Sequence, residues 1–137
     1  NWRAGRRTHV YLDEFHVVYE NPYSSMFFTS AWRRFRKRNA FPTGITQNVE
    51  YLLDNTSARS MLSNSEFIVM HNQAASDREK LAVLFNISEQ QMSYIPNAEA
   101  GHGLMKIGNA LVPFVNRFPK NTELYRRMTT KPNEKFE

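Results

Sequence analysis

The chain of 137 residues contains no cysteine. That excludes a disulfide framework, a thiolate metal site and a cysteine nucleophile, and it predicts an intracellular protein. No apolar run approaches the roughly 20 residues a bilayer-spanning helix needs, and no charged-then-apolar leader opens the sequence. The sequons at Asn55 and Asn86 are therefore expected to be incidental. Glycine and proline number only five and six and show no period, which excludes collagen-like and low-complexity classes. No internal repeat is visible. Acidic residues are in deficit, 13 against 18 Lys and Arg, leaving a formal net charge of +5. Such an excess permits an anionic partner without requiring one.

What is present is the composition of a globular domain: 41% hydrophobic and 13% aromatic residues, too rich for intrinsic disorder, in a length that suits one core. Thr8 to Leu12 is an apolar, β-rich run that ends abruptly in Asp13-Glu14, the pattern of a buried parallel strand delivering acids at its carboxyl end. After Asn21-Pro22, the residues Met26, Phe28, Ala31, Trp32 and Phe35 recur at helical spacing, predicting an amphipathic helix of about four turns. Pro42 to Thr46 reads as a second strand, ending at Gln47-Asn48. Val49 to Asp54 and Ser57 to Leu62 read as short helices, and Phe67 to Met70 as a third strand. Ser76-Asp77-Arg78-Glu79 and Ser88-Glu89-Gln90-Gln91 have the form of capping boxes opening two further helices. Gly103 to Phe114 predicts a β-hairpin turning at Gly108-Asn109, and a short helix follows at Glu123 to Met128. Helices alternating with strands imply an α/β domain with a mostly parallel sheet, flanking helices and a C-terminal hairpin. In such sheets ligands sit outside the carboxyl ends of the strands, where Asp13, Glu14 and Gln47 are expected.

An apolar strand followed by Asp-Glu is the form of a Walker B element, because Mg²⁺ requires a hard carboxylate and the attacking water a base beside it. The plainer reading is a strand ending in a solvated acidic turn. Arg36 and Gln47 would supply a positive fork and a neutral amide to a γ-phosphate at the same sheet edge. Equally, Arg36 could be a solvated helix end, and Arg33-Arg34-Phe35-Arg36-Lys37-Arg38 a nucleic-acid patch. Gly103 to Ala110 has Walker A glycine spacing, but Asn109 and Ala110 stand where Lys and Ser/Thr must be, so it is not a P-loop. The histidines His9, His16, His71 and His102 have no metal-ligand spacing. His16, close to Asp13, is read as structural. No G-x-S-x-G elbow supports a serine nucleophile, and a metal-dependent nuclease on Asp13 and Glu14 lacks further acids nearby.

Several blocks in order, Leu12 to His16, Trp32 to Lys37, Pro42 to Val49, Asn72 to Arg78, Gly108 to Phe114, Thr122 to Tyr125 and Thr129 to Pro132, resemble the CagE/TrbE/VirB family of type IV secretion and conjugative-transfer ATPases. That family belongs to the HerA/FtsK-like branch of RecA-like motors. The resemblance implies that residues 1–137 are the C-terminal portion of a P-loop ATPase domain, entering at the Walker B strand, with a partial RecA-like sheet and the Walker A loop upstream. It implies ATP and Mg²⁺ as cofactors of the intact protein. Asp13 would hold Mg²⁺ through water, Glu14 act as base, Gln47 sense the γ-phosphate, and Arg36 approach a phosphate, across a subunit boundary in one arrangement. Gln73, Asp77 and Arg78 match a further block without an assigned role. The implied partners are other secretion components, further copies in a hexamer or dimer, and DNA. The implied location is the cytoplasm at the inner face of the bacterial cell membrane, held peripherally through the complex. Alone, the chain is expected neither to bind ATP tightly nor to hydrolyse it. The rival reading is a non-catalytic interaction or nucleic-acid-binding module using the basic helix 33–38.

Overall fold

The computed structural model describes residues 2–96 and 99–130. They form two compact units, one of residues 2–66 and 74–87, the other of residues 67–73, 88–96 and 99–130.

In the first unit, β1 (Thr8–Leu12) pairs in parallel with β2 (Ala40–Gly44), in a register running from Thr8 opposite Ala40 to Leu12 opposite Gly44. Parallel neighbours need a crossover, and α1 (Pro22–Phe35) supplies it. Pro22 at the first helical position and the Asn21 side chain, which accepts from the amides of Tyr23 and Ser24, fix where this helix starts. It ends through a 3₁₀ turn at Arg36–Arg38, closed by Asn39 in the left-handed region at φ 51°. Helices α2 (Val49–Asp54) and α3 (Thr56–Ser63) follow, capped by the side chains of Asn48 and Asn55. Then comes α4 (Ala75–Phe85).

The core of this unit is Phe15, Tyr19, Leu52, Ala58 and Met61, flanked by Leu12, Val18, Phe28, Trp32 and Leu62. Phe15 is 1% exposed and is its hub: its ring lies 5.1 Å from Trp32 and meets Tyr19 and Phe28 edge-on. Gly44 is what admits that ring, because a Cβ at position 44 would stand 2.8 Å from it. The Tyr19 hydroxyl donates to Met61 Sδ at 3.2 Å, and burial pushes its pKa above the ordinary value.

The second unit is built on β3 (Phe67–Met70), β4 (His102–Ile107) and β5 (Ala110–Val115), an antiparallel sheet in that order, with α5 (Glu89–Met92) and α6 (Glu123–Met128). The β4–β5 turn has two residues, Gly108 and Asn109. Gly108 takes φ 55°, as a type II′ turn requires of its first central residue.

Several expectations are met closely: β1, β3, the hairpin and α6 lie where the sequence puts them, and Ser88 and Gln91 form the capping box. Others are corrected. The described strands are not mostly parallel: only β1 and β2 pair that way, because β3 takes β4 as its antiparallel neighbour. The fold is mixed α/β with one small parallel and one antiparallel sheet. β1 is not fully buried; its residues alternate, and on the open face His9 stacks with both Tyr11 and Phe41. β2 begins two residues before Pro42, since the left-handed Asn39 turns the chain directly into it. Met26 is 74% exposed, and the helix turns Phe28 and Trp32 inward instead. Ser76 does not cap α4, whose N-cap is Ala74 with no side-chain bond.

Candidate functional site

Because β1 and β2 are parallel and in register, Leu12 and Gly44 end side by side, and the loops that follow leave from one edge. The two loops are stitched together by backbone bonds: the Ile45 amide donates to the Leu12 carbonyl, and the Phe15 amide donates to the Ile45 carbonyl, both at 2.8 Å. Asp13-Glu14 and Thr46-Gln47 are thereby brought to the same place.

The turn at the acids is dictated by the core. Phe15 must point into the hydrophobic cluster immediately after a strand whose next two residues are charged, so the backbone reverses over Glu14, at φ 46° and ψ 48°. A non-glycine residue in that region costs on the order of 1 kcal/mol, and such strain gathers at functional sites. Asp13 relieves part of it, its Oδ1 accepting from the Glu14 amide at 3.0 Å. Asp13, Glu14 and Gln47 are all solvent-exposed.

His16 joins the two loops. Its Nδ1 lies 3.0 Å from Thr46 Oγ1 and 3.4 Å from Glu14 Oε2, and its ring meets Tyr51 edge-on at 6.4 Å. The Thr46 hydroxyl oxygen also accepts from the Asn48 amide at 3.1 Å, and Asn48 Oδ1 in turn accepts from the Tyr51 amide at the start of α2. One chain of contacts thus runs from the Glu14 carboxylate to the cap of the next helix. Sequence reasoning left His16 among structural residues and passed over Thr46. The available signal was the pairing itself, a histidine two residues after the acid pair and a hydroxyl beside Gln47.

Arg36 is not part of this cluster. It opens the 3₁₀ turn that precedes β2, and the carbonyl of Asn39, at the end of that turn, accepts from the Thr8 amide at the start of β1. Arg36 therefore lies at the amino edge of the parallel pair, and the expectation that it shares an edge with Gln47 is corrected. Strands advance about 3.3 Å per residue, so the five residues of β2 set the two edges roughly 15 Å apart. The order of elements carried this information: Arg36 precedes the strand and Gln47 follows it.

Of the remaining positions singled out, Asp77 is buried in the first turn of α4, where a carboxylate suits the helix dipole. Arg78 follows it, whereas Gln73 belongs to the second unit. Gly103 to Ala110 forms the β4–β5 hairpin, confirming that it is no phosphate cradle. Among the described residues no group of three His, Asp or Glu side chains could cage a metal ion, and no helix is long and apolar enough to cross a membrane. Asp13 does fit a magnesium ion that keeps most of its waters and phosphate oxygens, since such ions take only one or two carboxylates from protein.

The fold is similar to that of VirB4 of Thermoanaerobacter pseudethanolicus, with a TM-score of 0.76 and 27% sequence identity over 85% of this chain and 33% of that one. The chain thus spans about a third of the length of that protein. No family model and no curated protein matches it. The blocks that resemble the CagE/TrbE/VirB family and the VirB4-like fold they adopt agree, and together they support a fragment of a VirB4/TrbE-type protein.

Proposed function

We propose that this chain carries the water-activating half of the ATPase site of a type IV secretion motor, the phosphate-binding Walker A loop coming from a part of the protein that precedes Asp13 in sequence. The observation that carries the reading is the meeting of Asp13-Glu14 with Thr46-Gln47 at the carboxyl edge of a parallel strand pair, in a chain that folds like VirB4. Asp13 orients the water shell of Mg²⁺, which when bound supplies charge neutralisation for the transferring phosphoryl group. Glu14 accepts a proton from the attacking water, and Gln47 donates its amide hydrogen to the γ-phosphate. Arg36, at the other edge, serves the site of a neighbouring copy and stabilises charge there. The assembly is a hexamer or dimer, held at the cytoplasmic face of the membrane by other secretion components, and it couples hydrolysis to transfer of DNA or protein.

The test is ATP hydrolysis by the full-length protein. Glu14→Gln is expected to lower turnover on the order of 10²-fold or more, with nucleotide binding retained. Turnover that persists in this variant refutes the role of Glu14, and turnover by the 137-residue chain alone, abolished by Glu14→Gln, refutes the placing of the phosphate-binding loop outside it.

A second reading has its own observation. Arg34 and Lys37 are exposed and recur at helical spacing with Tyr23 and Phe27, which are 84% and 64% exposed. Cations and open aromatic rings spaced along one helix suit single-stranded nucleic acid. DNA affinity that falls steeply with salt and is lost on replacing Arg33, Arg34 and Lys37 supports it.

A further inference from the structure

We propose that His16 is a positioning residue which locks the Glu14 carboxylate to the Thr46-Gln47 turn, so that water activation and γ-phosphate sensing are held in one geometry. The inference rests on the roles of Glu14 and Gln47 given above. Its basis is a set of contacts that neither role requires.

Glu14 occupies a left-handed backbone conformation on an exposed turn, and its side chain is 49% exposed. Left to itself, a solvated glutamate samples several rotamers, and only one can face a water in line with a phosphate. His16 removes that freedom. Its side chain is only 17% exposed, pinned between Tyr51 and the Thr46 hydroxyl, and Nδ1 faces both the carboxylate and the hydroxyl. With the Glu14 carboxylate half in solvent the contact adds little to stability, so its effect falls on orientation. Thr46 is the residue before Gln47, and its hydroxyl is already committed to the Asn48 amide. Displacing His16 therefore loosens the base on one side and the sensor's turn on the other. Groups that orient a reacting side chain in this manner typically contribute 10- to 100-fold, and misplacement by about 1 Å is enough to account for it.

The experiment has two arms. In the full-length ATPase, His16→Ala and Thr46→Val are each expected to lower kcat by about tenfold with KM for ATP changed less than about twofold. His16→Asn, whose amide nitrogen reaches the place of Nδ1, and Thr46→Ser are expected to retain most of the rate. The double variant His16→Ala/Thr46→Val is expected to be no slower than either single one. Unchanged kcat in His16→Ala, a loss equally large in His16→Asn, or multiplying losses in the double variant overturns the proposal. The second arm reads the link without turnover: imidazole ¹⁵N resonances of His16 in the 137-residue chain are expected to shift on Thr46→Val and on Glu14→Gln. Resonances indifferent to both overturn it. Full turnover in Glu14→Gln, with those resonances responding as expected, instead removes the base assignment and leaves the contact standing.

Discussion

The two edges of one small parallel sheet differ in what they hold. At the carboxyl edge, two acids, a histidine, a threonine and a glutamine converge from two loops that are bonded backbone to backbone. At the amino edge, Arg36 and Asn39 lie in a single tight turn whose contact with β1 is a backbone bond from Thr8. The first is built to hold several groups in one geometry, the second to present cations outward. A site that needs both must be assembled from two edges, and two edges of the same sheet cannot meet. The contrast therefore says something about assembly that neither edge says alone.

The largest effect that can break the contrast comes from mixing subunits. Arg36→Ala is expected to lower turnover of the intact assembly on the order of 10³-fold, comparable to removing an arginine finger. Mixing Arg36→Ala protein with inactive Glu14→Gln protein is then expected to restore part of the rate, because some interfaces join an intact base to an intact arginine. Mixed assemblies as dead as the parents would place both groups in one subunit's site and erase the distinction between the edges.

Next in size is the residue under the carboxyl edge. Phe15→Ala is expected to cost about 3–5 kcal/mol in denaturant unfolding, the usual range for removing a buried phenyl ring. It also frees the turn at Glu14, so residual turnover at permissive temperature should fall as well. A variant that loses stability but keeps full turnover would show that the acids do not depend on the core for their placement.

Strain sharpens the comparison further, since each edge has a left-handed residue: Glu14 at φ 46° and Asn39 at φ 51°. Glu14→Gly is expected to stabilise the chain by up to about 1 kcal/mol while abolishing activity. Asn39→Gly gains less, because the Asn39 side-chain Nδ2 donates to the Gly5 carbonyl at 3.2 Å and that bond is lost. No gain in Glu14→Gly would mean that Glu14 is not held under strain, and equal gains at the two positions would mean that the Asn39 bond adds nothing.

The smallest effect concerns α2, which begins two residues after Gln47. Lys80 on α4 bonds Asp54 and Glu50 on α2, each at 3.0 Å, and these bonds raise its pKa above the ordinary 10.5. A raised pKa means the folded state holds the proton more tightly. The contribution is therefore complete below the unfolded value and is lost as pH rises through the folded one. Lys80→Met is expected to flatten the decline in melting temperature at strongly alkaline pH without altering either edge. An unchanged alkaline slope would exclude Lys80 as its source.

Legibility in the sequence followed the range of the interactions involved. β1, the hairpin turn at Gly108 and the capping box at Ser88 were readable because a few adjacent residues decide them. The convergence of Asp13, Glu14 and Gln47 was readable because parallel strands share a carboxyl edge. What misled was register with solvent: the run Thr8 to Leu12 looks fully buried, yet one face of a two-stranded sheet stays open and carries His9 and Tyr11. The antiparallel pairing of β3 depends on a partner more than thirty residues away, which no local pattern announces. The link through His16 was the least legible, since it needs two loops thirty residues apart to be placed within an ångström or so.

The seat of the hub phenyl ring has a genetic consequence. Phe15 follows Glu14 directly, and Gly44 precedes the loop of Gln47 by only three residues, so ring and glycine together set the spacing between those loops. On the proposed function, alleles at Gly44, Leu52, Ala58 or Met61 would lower turnover through the placing of the two loops as well as lowering stability. Suppressors of such alleles should fall in the same hydrophobic cluster rather than among the polar residues at the strand ends.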